Sequence, residues 1–336
     1  MATTIKDISL KAGVSHSTVS RALNNTGRMS EETRLNILKL ADKMNYVPNY
    51  SARSLVTDKS YNIGVFSIKE KVISSTFYEV LEGIQDVVGL HFNLVFKKLE
   101  SEDELNEILK YKKYGGIIFV SIINNDIKYI NRISKEKVPF VVINRKMEND
   151  KFFDVVAEDF LGAFKATEHL IKLGHKDIAY VEGPPENIVT TERKNGYLSA
   201  LEKYDIPLKN QFIMRSNGLP EGGFTAACNL LNLDKQPTAV FAYSDPVAVG
   251  IMKAVWKEGY TIPGDIAVVG FDNMVSSQYL VPSLTSIDKP RADMGRNAAK
   301  MLLQILNHEN PASRVIAIGT RLIIRESCGA LTTNFI

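Results

Sequence analysis

Short hydrogen-bonding side chains dominate the stretch GVSHSTVSRALNN, residues 13–25. If this stretch is helical, Val19 and Leu23 share one face and pack inward. The outward set is then His16, Ser17, Thr18, Ser20 and Arg21. Short hydroxyl side chains let a helix approach the major groove of DNA closely and reach base edges and phosphates. Since Ser and Thr are middling to poor helix formers, this pattern favours DNA recognition over a solvated helix that is Ser/Thr-rich by chance.

The excess positive charge of the chain lies in its first sixth. Residues 1–60 hold nine Lys or Arg against five Asp or Glu, a net charge of +4, whereas the whole 336-residue chain carries +3. The remaining residues are therefore nearly neutral. This distribution indicates a small basic domain that meets a polyanion.

Short helices are predicted to position these side chains. The first begins at Thr4, which forms a capping-box-like pattern with Asp7, and it ends at Gly13. Ser15 can cap the second helix. Two helices joined by a Gly-containing turn, the second polar on its outer side, are typical of a helix-turn-helix.

A third helix is predicted from Ser30, followed by a short fourth one that begins at Pro48. The apolar face of the third helix is predicted to comprise Leu35, Leu38, Ala41 and Met44. The segment VTDKS, residues 56–60, is the clearest linker.

From Tyr61 onward, apolar strand-like runs alternate with amphipathic helical segments. The runs are NIGVFSI, FNLVF, GGIIFV and PFVVI, then DVVAED, KDIAYVEG, PTAVFAY and GDIAVVGFD. This alternation predicts two α/β lobes with parallel sheets, each able to bind ligands beyond the carboxyl ends of its strands.

Several functional classes lack support. The chain has no apolar run of about 18 residues and no secretory signal, which predicts a cytoplasmic protein with reduced Cys228 and Cys328. It has no G-x-G-x-x-G, P-loop or G-x-S-x-G motif, so we expect no enzyme and no cofactor. The five histidines show no metal-binding spacing, so no metal site is expected.

The segments TIKDISLKAGVSHSTVSRALNN, SEETR, MNYVPNYSARSL and NIGVF resemble the lactose- and galactose-repressor family of bacterial transcription factors. The resemblance continues through HLIKLGHKDIAYVEG, RKNGYLSAL, SDPVAVGIM and VVGFDN to RESCG. It implies an N-terminal helix-turn-helix headpiece and hinge helix joined to a two-lobed, periplasmic-binding-protein-like core of parallel sheets. The implied boundaries are 1–47, 48–60 and 61–336, with an N-lobe of about 61–157 plus 290–318 and a C-lobe of about 158–288 plus 319–330.

For the DNA end, the resemblance implies base reading by His16 and Ser17. The residues implied among the other contacts to DNA are Thr4, Ser15, Thr18, Ser20, Arg21 and Asn24. In the implied hinge helix, Ala52 and Leu55 share a face, and Leu55 would wedge into the minor groove at a cost of about a few kcal/mol. The alternative is that Leu55 packs beneath the core.

For the core, the resemblance implies an effector site at strand ends. Its residues would be Phe77, Tyr78, Asn144, Arg145, Asp159, Arg193, Ser244, Asp245 and Asp272. Phe77 and Tyr78 could equally be core residues, and Asp159 and Asp245 could cap helices. Arg193 and Asp272 could together bind ligand hydroxyls. Asn144-Arg145 replaces the family's more usual Asp, and Leu219 replaces an aromatic residue found in some members.

These observations predict an operator-binding homodimer controlled by a sugar or sugar phosphate, and the resemblance implies a repressor. Only seven residues follow RESCG, too few for the helix that forms tetramers in the family. One alternative is control by a partner phosphocarrier protein, as in the catabolite-control branch. A purine effector is less favoured because aromatic residues are few, and a periplasmic binding protein or an enzyme is opposed by the headpiece and the missing motifs.

We expect substitutions of His16 or Ser17 to change which operator bases are preferred, because these side chains reach base edges. Arg21→Ala should instead weaken binding to all sequences together, since a phosphate contact carries no sequence information. Selection of binding sites from a random DNA pool measures both effects. Identical base preferences for wild type and the His16 and Ser17 variants would show that another element reads the groove.

Overall fold

The computed structural model describes residues 3–23, 27–44, 46, 60–68, 75–89, 92–111, 113–147 and 152–330. The predicted hinge helix, with Ala52 and Leu55, lies outside these ranges, as do Asn24 and residues 331–336. The chain divides into two compact units, Met1–Tyr61 and Asn62–Ile336. We call them the headpiece and the core, and each is described by itself.

The headpiece contains the three helices α1 (Ile5–Ala12), α2 (His16–Leu23) and α3 (Glu31–Lys43) in its described part. Helix α1 begins at the predicted capping box, in which the backbone N–H of Thr4 donates to Asp7 at 2.8 Å. It ends at Gly13, whose φ of 65° suits glycine. The buried apolar side chains in the described part of this unit are Ile8, Val19, Ala22, Ile37 and Ala41. Val19 therefore holds α2 against the domain, as predicted.

The predicted apolar face of α3 needs a correction. Leu35 and Leu38 are exposed, whereas Ile37 is buried together with Ala41 one turn later. The helix carries apolar residues on two overlapping stripes, so periodicity alone does not choose between them. Contact with α1 and α2 selects the stripe that contains Ile37 and Ala41.

The core contains two six-stranded sheets in its described residues. The strands are β1 (Asn62–Ile68), β2 (Asn93–Leu99), β3 (Gly116–Val120), β4 (Phe140–Ile143), β5 (Asp154–Ala157), β6 (Ile178–Glu182), β7 (Ile213–Arg215), β8 (Ala239–Ala242), β9 (Ala267–Asp272), β10 (Thr285–Asp288), β11 (Val315–Ile318) and β12 (Arg321–Ile323). The first sheet has the order β2-β1-β3-β4-β5-β11 and is parallel throughout. The second has the order β7-β6-β8-β9-β10-β12, with only the edge strand β12 antiparallel.

Helices cover both faces of each sheet, as the alternation in the sequence predicts. They are α4 (Ser75–Val88), α5 (Glu102–Lys110), α6 (Ile127–Ile133), α7 (Asp159–Lys172), α8 (Val189–Lys203), α9 (Pro220–Leu231), α10 (Asp245–Lys257) and α11 (Arg291–Leu306). Among the described residues of the core and the headpiece, no helix is both long and apolar enough to cross a membrane.

The chain passes between the two sheets three times, after β5, after β10 and after β11. Helices α4 and α11 flank the first sheet and approach each other closely through two glycines. A Cβ atom on Gly83 would collide with the carbonyl oxygen of Ala292, and one on Gly295 would collide with that of Val80. This close packing fixes the amino-terminal ends of α4 and α11, which carry Phe77 and Arg291 to the space between the lobes.

Candidate functional site

On α2 of the headpiece, the side chains of His16, Ser17 and Arg21 are exposed. The Ser15 hydroxyl accepts the backbone N–H of Thr18 at 3.1 Å and hydrogen-bonds the Thr18 hydroxyl at 2.8 Å. Ser15 therefore caps α2, so its hydroxyl is already used inside the headpiece. The outer face of α2 combines an aromatic ring, a hydroxyl and a guanidinium, groups suited to base edges and phosphates.

Between the two lobes of the core lies a cavity of about 150 Å³. Its lining residues are Phe77, Val80, Val120, Ile122, Asn144, Arg193, Tyr243, Asp272, Lys289, Arg291 and Met294. The first sheet and its helices contribute the apolar side chains. Residues of the second sheet and of the crossing after β10 contribute most of the charged ones.

Arg193, 2% exposed, is the central charged group of the cavity. Its Nε donates to Asp159 at 2.8 Å, its Nη1 to the carbonyl oxygen of Tyr243 at 2.5 Å and its Nη2 to Asp272 at 3.2 Å. Its guanidinium carbon lies 3.6 Å from the centroid of the Phe271 ring. Burial opposes the positive charge, but the two carboxylates outweigh it and raise the pKa of Arg193. Arg193 thus stays charged, with its guanidinium held by three hydrogen-bond partners at the cavity.

Two further cations, Lys289 and Arg291, line the cavity and were missed by the sequence analysis. Lys289 Nζ contacts Asp159 at 3.2 Å, and Arg291 Nη2 contacts Asp272 Oδ1 at 2.7 Å. Arg291 Nη1 also donates to the backbone carbonyl of Asp272 at 2.9 Å. A signal was present in the segment SIDKPR, which places two cations directly after a strand.

Burial acts against ionisation of Asp159, but Lys289 and Arg193 overcome it and lower the pKa of this carboxyl. Asp159 is therefore an anion that holds two cations in place, at the amino-terminal end of α7. It lies behind the cavity wall, so its contribution to a ligand would be indirect.

Phe77 and Asn144 line the cavity, as do Arg193 and Asp272. Phe77 is buried and packs on Phe96 with a ring separation of 4.7 Å, so it serves the apolar core as well. Asn144 follows β4 with a φ of 72°, and its buried Oδ1 has no hydrogen-bond partner among the described residues. Such an oxygen can accept a hydrogen bond from a ligand.

Other predicted residues lie away from the cavity. Tyr78 is exposed on α4 because it is one position, about 100°, around the helix from Phe77. Ser244 is buried before α10, and its Oγ also lacks a partner among the described residues. Neither side chain lines the cavity.

Asp245 also lies outside the cavity lining, although it follows a strand of the second sheet. Its Oδ2 accepts hydrogen bonds from the N–H of Met274 at 2.7 Å and the hydroxyl of Ser277 at 2.6 Å, and its Oδ1 from Ser286 at 2.6 Å. Burial raises the pKa of Asp245 to about 6, with the charge of Asp272 adding to the effect. Asp245 thereby anchors the loop after β9, the segment that begins at Asp272.

The two lobes are joined beside the cavity by a short antiparallel backbone pairing, here called the interlobe bridge, between residues 122–124 and 186–188. The N–H of Asn124 donates to the carbonyl of Glu186 at 2.7 Å, and the N–H of Ile188 donates to that of Ile122 at 3.1 Å. Ile122 also lines the cavity, so the interlobe bridge adjoins the cavity wall.

Arg145, predicted as a ligand contact, supports the interlobe bridge. Its Nε donates to Ser121 Oγ at 3.0 Å, and its Nη2 donates to the carbonyls of Ile123 at 2.8 Å and Asn124 at 3.1 Å. On the other side of this loop, Asp126 accepts the N–H of Ile123 at 3.0 Å. The guanidinium is used within its own lobe, which keeps it off the cavity lining.

Comparisons with known proteins decide the family. Residues 4–49 match the model of the bacterial regulatory proteins of the lacI family, and residues 167–328 match that of the periplasmic binding protein-like domain. The chain is 36% identical over 332 residues to the probable HTH-type transcriptional repressor ExuR of Bacillus subtilis (strain 168), covering 98% of this chain and 99% of that protein. The chain belongs to the lacI family of bacterial regulatory proteins.

Other lacI-family members support this assignment. Catabolite control protein A of Priestia megaterium is 32% identical over 336 residues, covering 97% of this chain and 99% of its own. The Lac repressor dimer bound to operator and the anti-inducer ONPF aligns with a TM-score of 0.76 at 23% identity. This alignment covers 98% of this chain and 99% of the Lac repressor chain. A LacI-family regulatory protein from Chloroflexus aggregans aligns with a TM-score of 0.74 at 28% identity, and the alignment covers 80% of this chain and 98% of that protein. The predicted fold class is confirmed, and this family is one of DNA-binding transcriptional regulators.

For this lacI-family protein, we expect Arg145→Gln to loosen the interlobe bridge, because two carbonyls of loop 121–124 lose their cationic donor. A lost charge-assisted hydrogen bond weakens local structure by about 1.5–3 kcal/mol, so amide exchange at Asn124 and Ile188 should accelerate about tenfold or more. Hydrogen exchange measured by NMR on the full chain reports both amides. Arg132→Gln, on α6 away from the interlobe bridge, is the matched control. Unchanged exchange in Arg145→Gln would show that the guanidinium does not support the pairing.

Proposed function

We propose that this lacI-family regulator binds operator DNA through α2 and that a small molecule in the interlobe cavity controls its binding. The effector class that we propose is a sugar or sugar phosphate, which would place the protein in the control of carbohydrate metabolism. The observation that carries this proposal is a cavity lined by residues of both lobes, with charged groups held in place around Asp272.

The two sides of the cavity differ in chemistry in a way that suits a sugar. The N-lobe side is apolar apart from Asn144 and Arg291. Its side chains Val80, Val120 and Met294, beside Phe77, can contact the C–H groups of a sugar ring. The other side offers the Asp272 carboxylate, which can accept hydrogen bonds from ring hydroxyls. Asp272 Oδ1 is occupied by two guanidinium groups, but Oδ2 has no hydrogen-bond partner among the described residues.

A ligand that contacts both walls would favour one angle between the lobes. It can shift the equilibrium only by the difference in its affinity for the two angles. The interlobe bridge is the contact that such a shift would make or break. In the proposed dimer, the lobe angle would in turn set the distance between the two points, one in each subunit, where the chain enters the core near Asn62. That distance would determine whether the proposed hinge residues Ala52 and Leu55 can pair over the minor groove.

Control by a partner phosphocarrier protein is the second candidate. It gains weight from the 32% identity to catabolite control protein A. A regulator that responds to a protein surface alone needs no ligand cavity. This core has a cavity, and three cationic side chains and a free carboxylate oxygen line it. The cavity therefore favours the small molecule.

We also propose that the protein acts as a homodimer. Three apolar side chains lie exposed close together in the chain after β9: Val275 at 65%, Tyr279 at 75% and Val281 at 79%. Clustered exposed apolar groups mark interaction surfaces. A second copy is the proposed occupant, because the Lac repressor aligned over nearly the whole chain is described as a dimer.

The effector site is tested by Asp272→Asn, after a thermal-shift screen of sugars, sugar phosphates and nucleobases has identified a stabilising compound. Loss of a charged acceptor should weaken the binding of that compound about ten- to a hundredfold, equivalent to about 1.5–3 kcal/mol of binding free energy. Operator affinity without effector should stay within a few-fold of wild type, because Asp272 lies in the core. Operator titration with and without effector measures both, with the exposed Asp293→Asn as matched control. A full response in Asp272→Asn would make a partner protein the preferred regulator.

The dimer is tested by Tyr279→Asp, which puts a charge in the centre of the exposed apolar patch. We expect a wild-type dimer and a monomeric variant at micromolar concentration, because burying an unpaired carboxylate at an interface is costly. Multi-angle light scattering gives both masses. Tyr111→Asp changes another exposed tyrosine, on the N-lobe, and should remain dimeric. A dimeric Tyr279→Asp or a tetrameric wild type would contradict this proposal.

A further inference from the structure

The charges around the cavity do not balance. The cavity lining contains three cations, Arg193, Lys289 and Arg291, and one carboxylate, Asp272. Asp159, behind the wall, adds a second buried carboxylate, so the five charged groups that contact one another carry a formal net charge of +1. Asp245 is also buried, but its hydrogen bonds come from Met274, Ser277 and Ser286 and not from these cations. A net charge is costly to bury unless a counter-ion joins it.

Glu79 does not remove this imbalance. Its carboxylate lies 3.9 Å from Arg291 Nη1, at the long end of ion-pair distances, and 33% of its side chain is exposed. Water therefore screens the pair strongly. Glu79 is also absent from the cavity lining, so a ligand inside would face the three cations.

Lys289 is the least satisfied member of the cluster. It is 6% exposed, and among the described residues its ammonium has one partner, Asp159 at 3.2 Å. An ammonium carries three N–H donors, so two remain for a ligand. Burial lowers the pKa of Lys289 while Asp159 opposes this, and an anion in the cavity would favour the charged form further.

The volume of the cavity, about 150 Å³, suits a ligand of one sugar ring. A monosaccharide acid has about a dozen non-hydrogen atoms and fits this space, whereas a disaccharide has nearly twice as many.

We infer that the effector is an anionic monosaccharide whose acid group pairs with Lys289 and Arg291. This inference rests on the proposed function of the cavity as the effector site and specifies its ligand. The single uncompensated charge matches one carboxylate better than a phosphate, which carries about −1.5 to −2 at neutral pH. The ring hydroxyls would donate to Asp272 Oδ2 and to Asn144 Oδ1, the two acceptors without partners among the described residues.

The test uses the full chain and three matched sets of probes. D-glucuronate and D-galacturonate carry a carboxylate, D-glucose and D-galactose are their neutral counterparts, and the two 6-phosphates carry a phosphate. Isothermal titration calorimetry, with NaCl added to equalise ionic strength, gives each Kd. We expect at least one uronate to bind at least tenfold more tightly than its neutral counterpart and than its 6-phosphate.

Lys289→Met tests the proposed contact directly. It keeps the length and apolar stem of the side chain but removes the ammonium, so the uronate Kd should rise about ten- to a hundredfold. Lys253→Met, at an exposed position on α10, is the matched control and should bind like wild type. If Lys289→Met does not fold, the comparison of uronate with neutral sugar on the wild type still decides.

Three results would overturn the inference: neutral sugars that bind as tightly as the uronates, no binding of either anionic set, or a uronate Kd unchanged in Lys289→Met. Tighter binding of a 6-phosphate would keep the anionic class and assign the acid group to phosphate. Operator titration in the same buffers separates this inference from the proposed function. A uronate that binds without changing operator affinity would refute effector control alone, and a neutral sugar that changes it would refute the anionic ligand alone.

Discussion

The core depends on the buried guanidinium of Arg193. This group, on α8, contacts the amino-terminal end of α7 through Asp159, the end of β8 through the carbonyl of Tyr243, and the end of β9 through Asp272. Three elements that are distant in the chain thereby meet at one side chain, over the Phe271 ring. Because both carboxylates also bind cations of the crossing after β10, the cluster extends to the junction between the lobes.

Much of the fold follows from local patterns. The capping residues Thr4 and Ser30 and the glycine at 13 mark helix ends, since each satisfies backbone groups that the helix leaves unpaired. The alternation of apolar runs and amphipathic segments predicts parallel sheets, and Asp272 is predicted at the site because charged groups at strand ends meet at one edge of a sheet. In these cases the determining interactions are close in sequence or are dictated by strand direction. Arg193 lies inside α8, so only the family resemblance predicts it at the site.

The remainder depends on which strands become neighbours. Lys289 enters the cavity because β10 pairs with β9, which sets Asp288 opposite Asp272 and puts the following lysine at the same edge. Arg145 follows a strand like Asp272, yet it turns toward loop 121–124, whose carbonyls accept its N–H groups. Asp245 turns into a buried site with three donors. A one-dimensional pattern does not contain these tertiary competitors for each side chain.

The interlobe bridge separates two properties that evolution could otherwise change only together. Its pairing uses backbone N–H and carbonyl groups, so most side chains at 122–124 and 186–188 can be replaced without removing a hydrogen bond. Under the proposed function, the side chains that line the cavity can therefore change toward a new ligand while the hydrogen bonds between the lobes stay the same. A lineage with this core can then recognise different effectors and keep one interlobe contact.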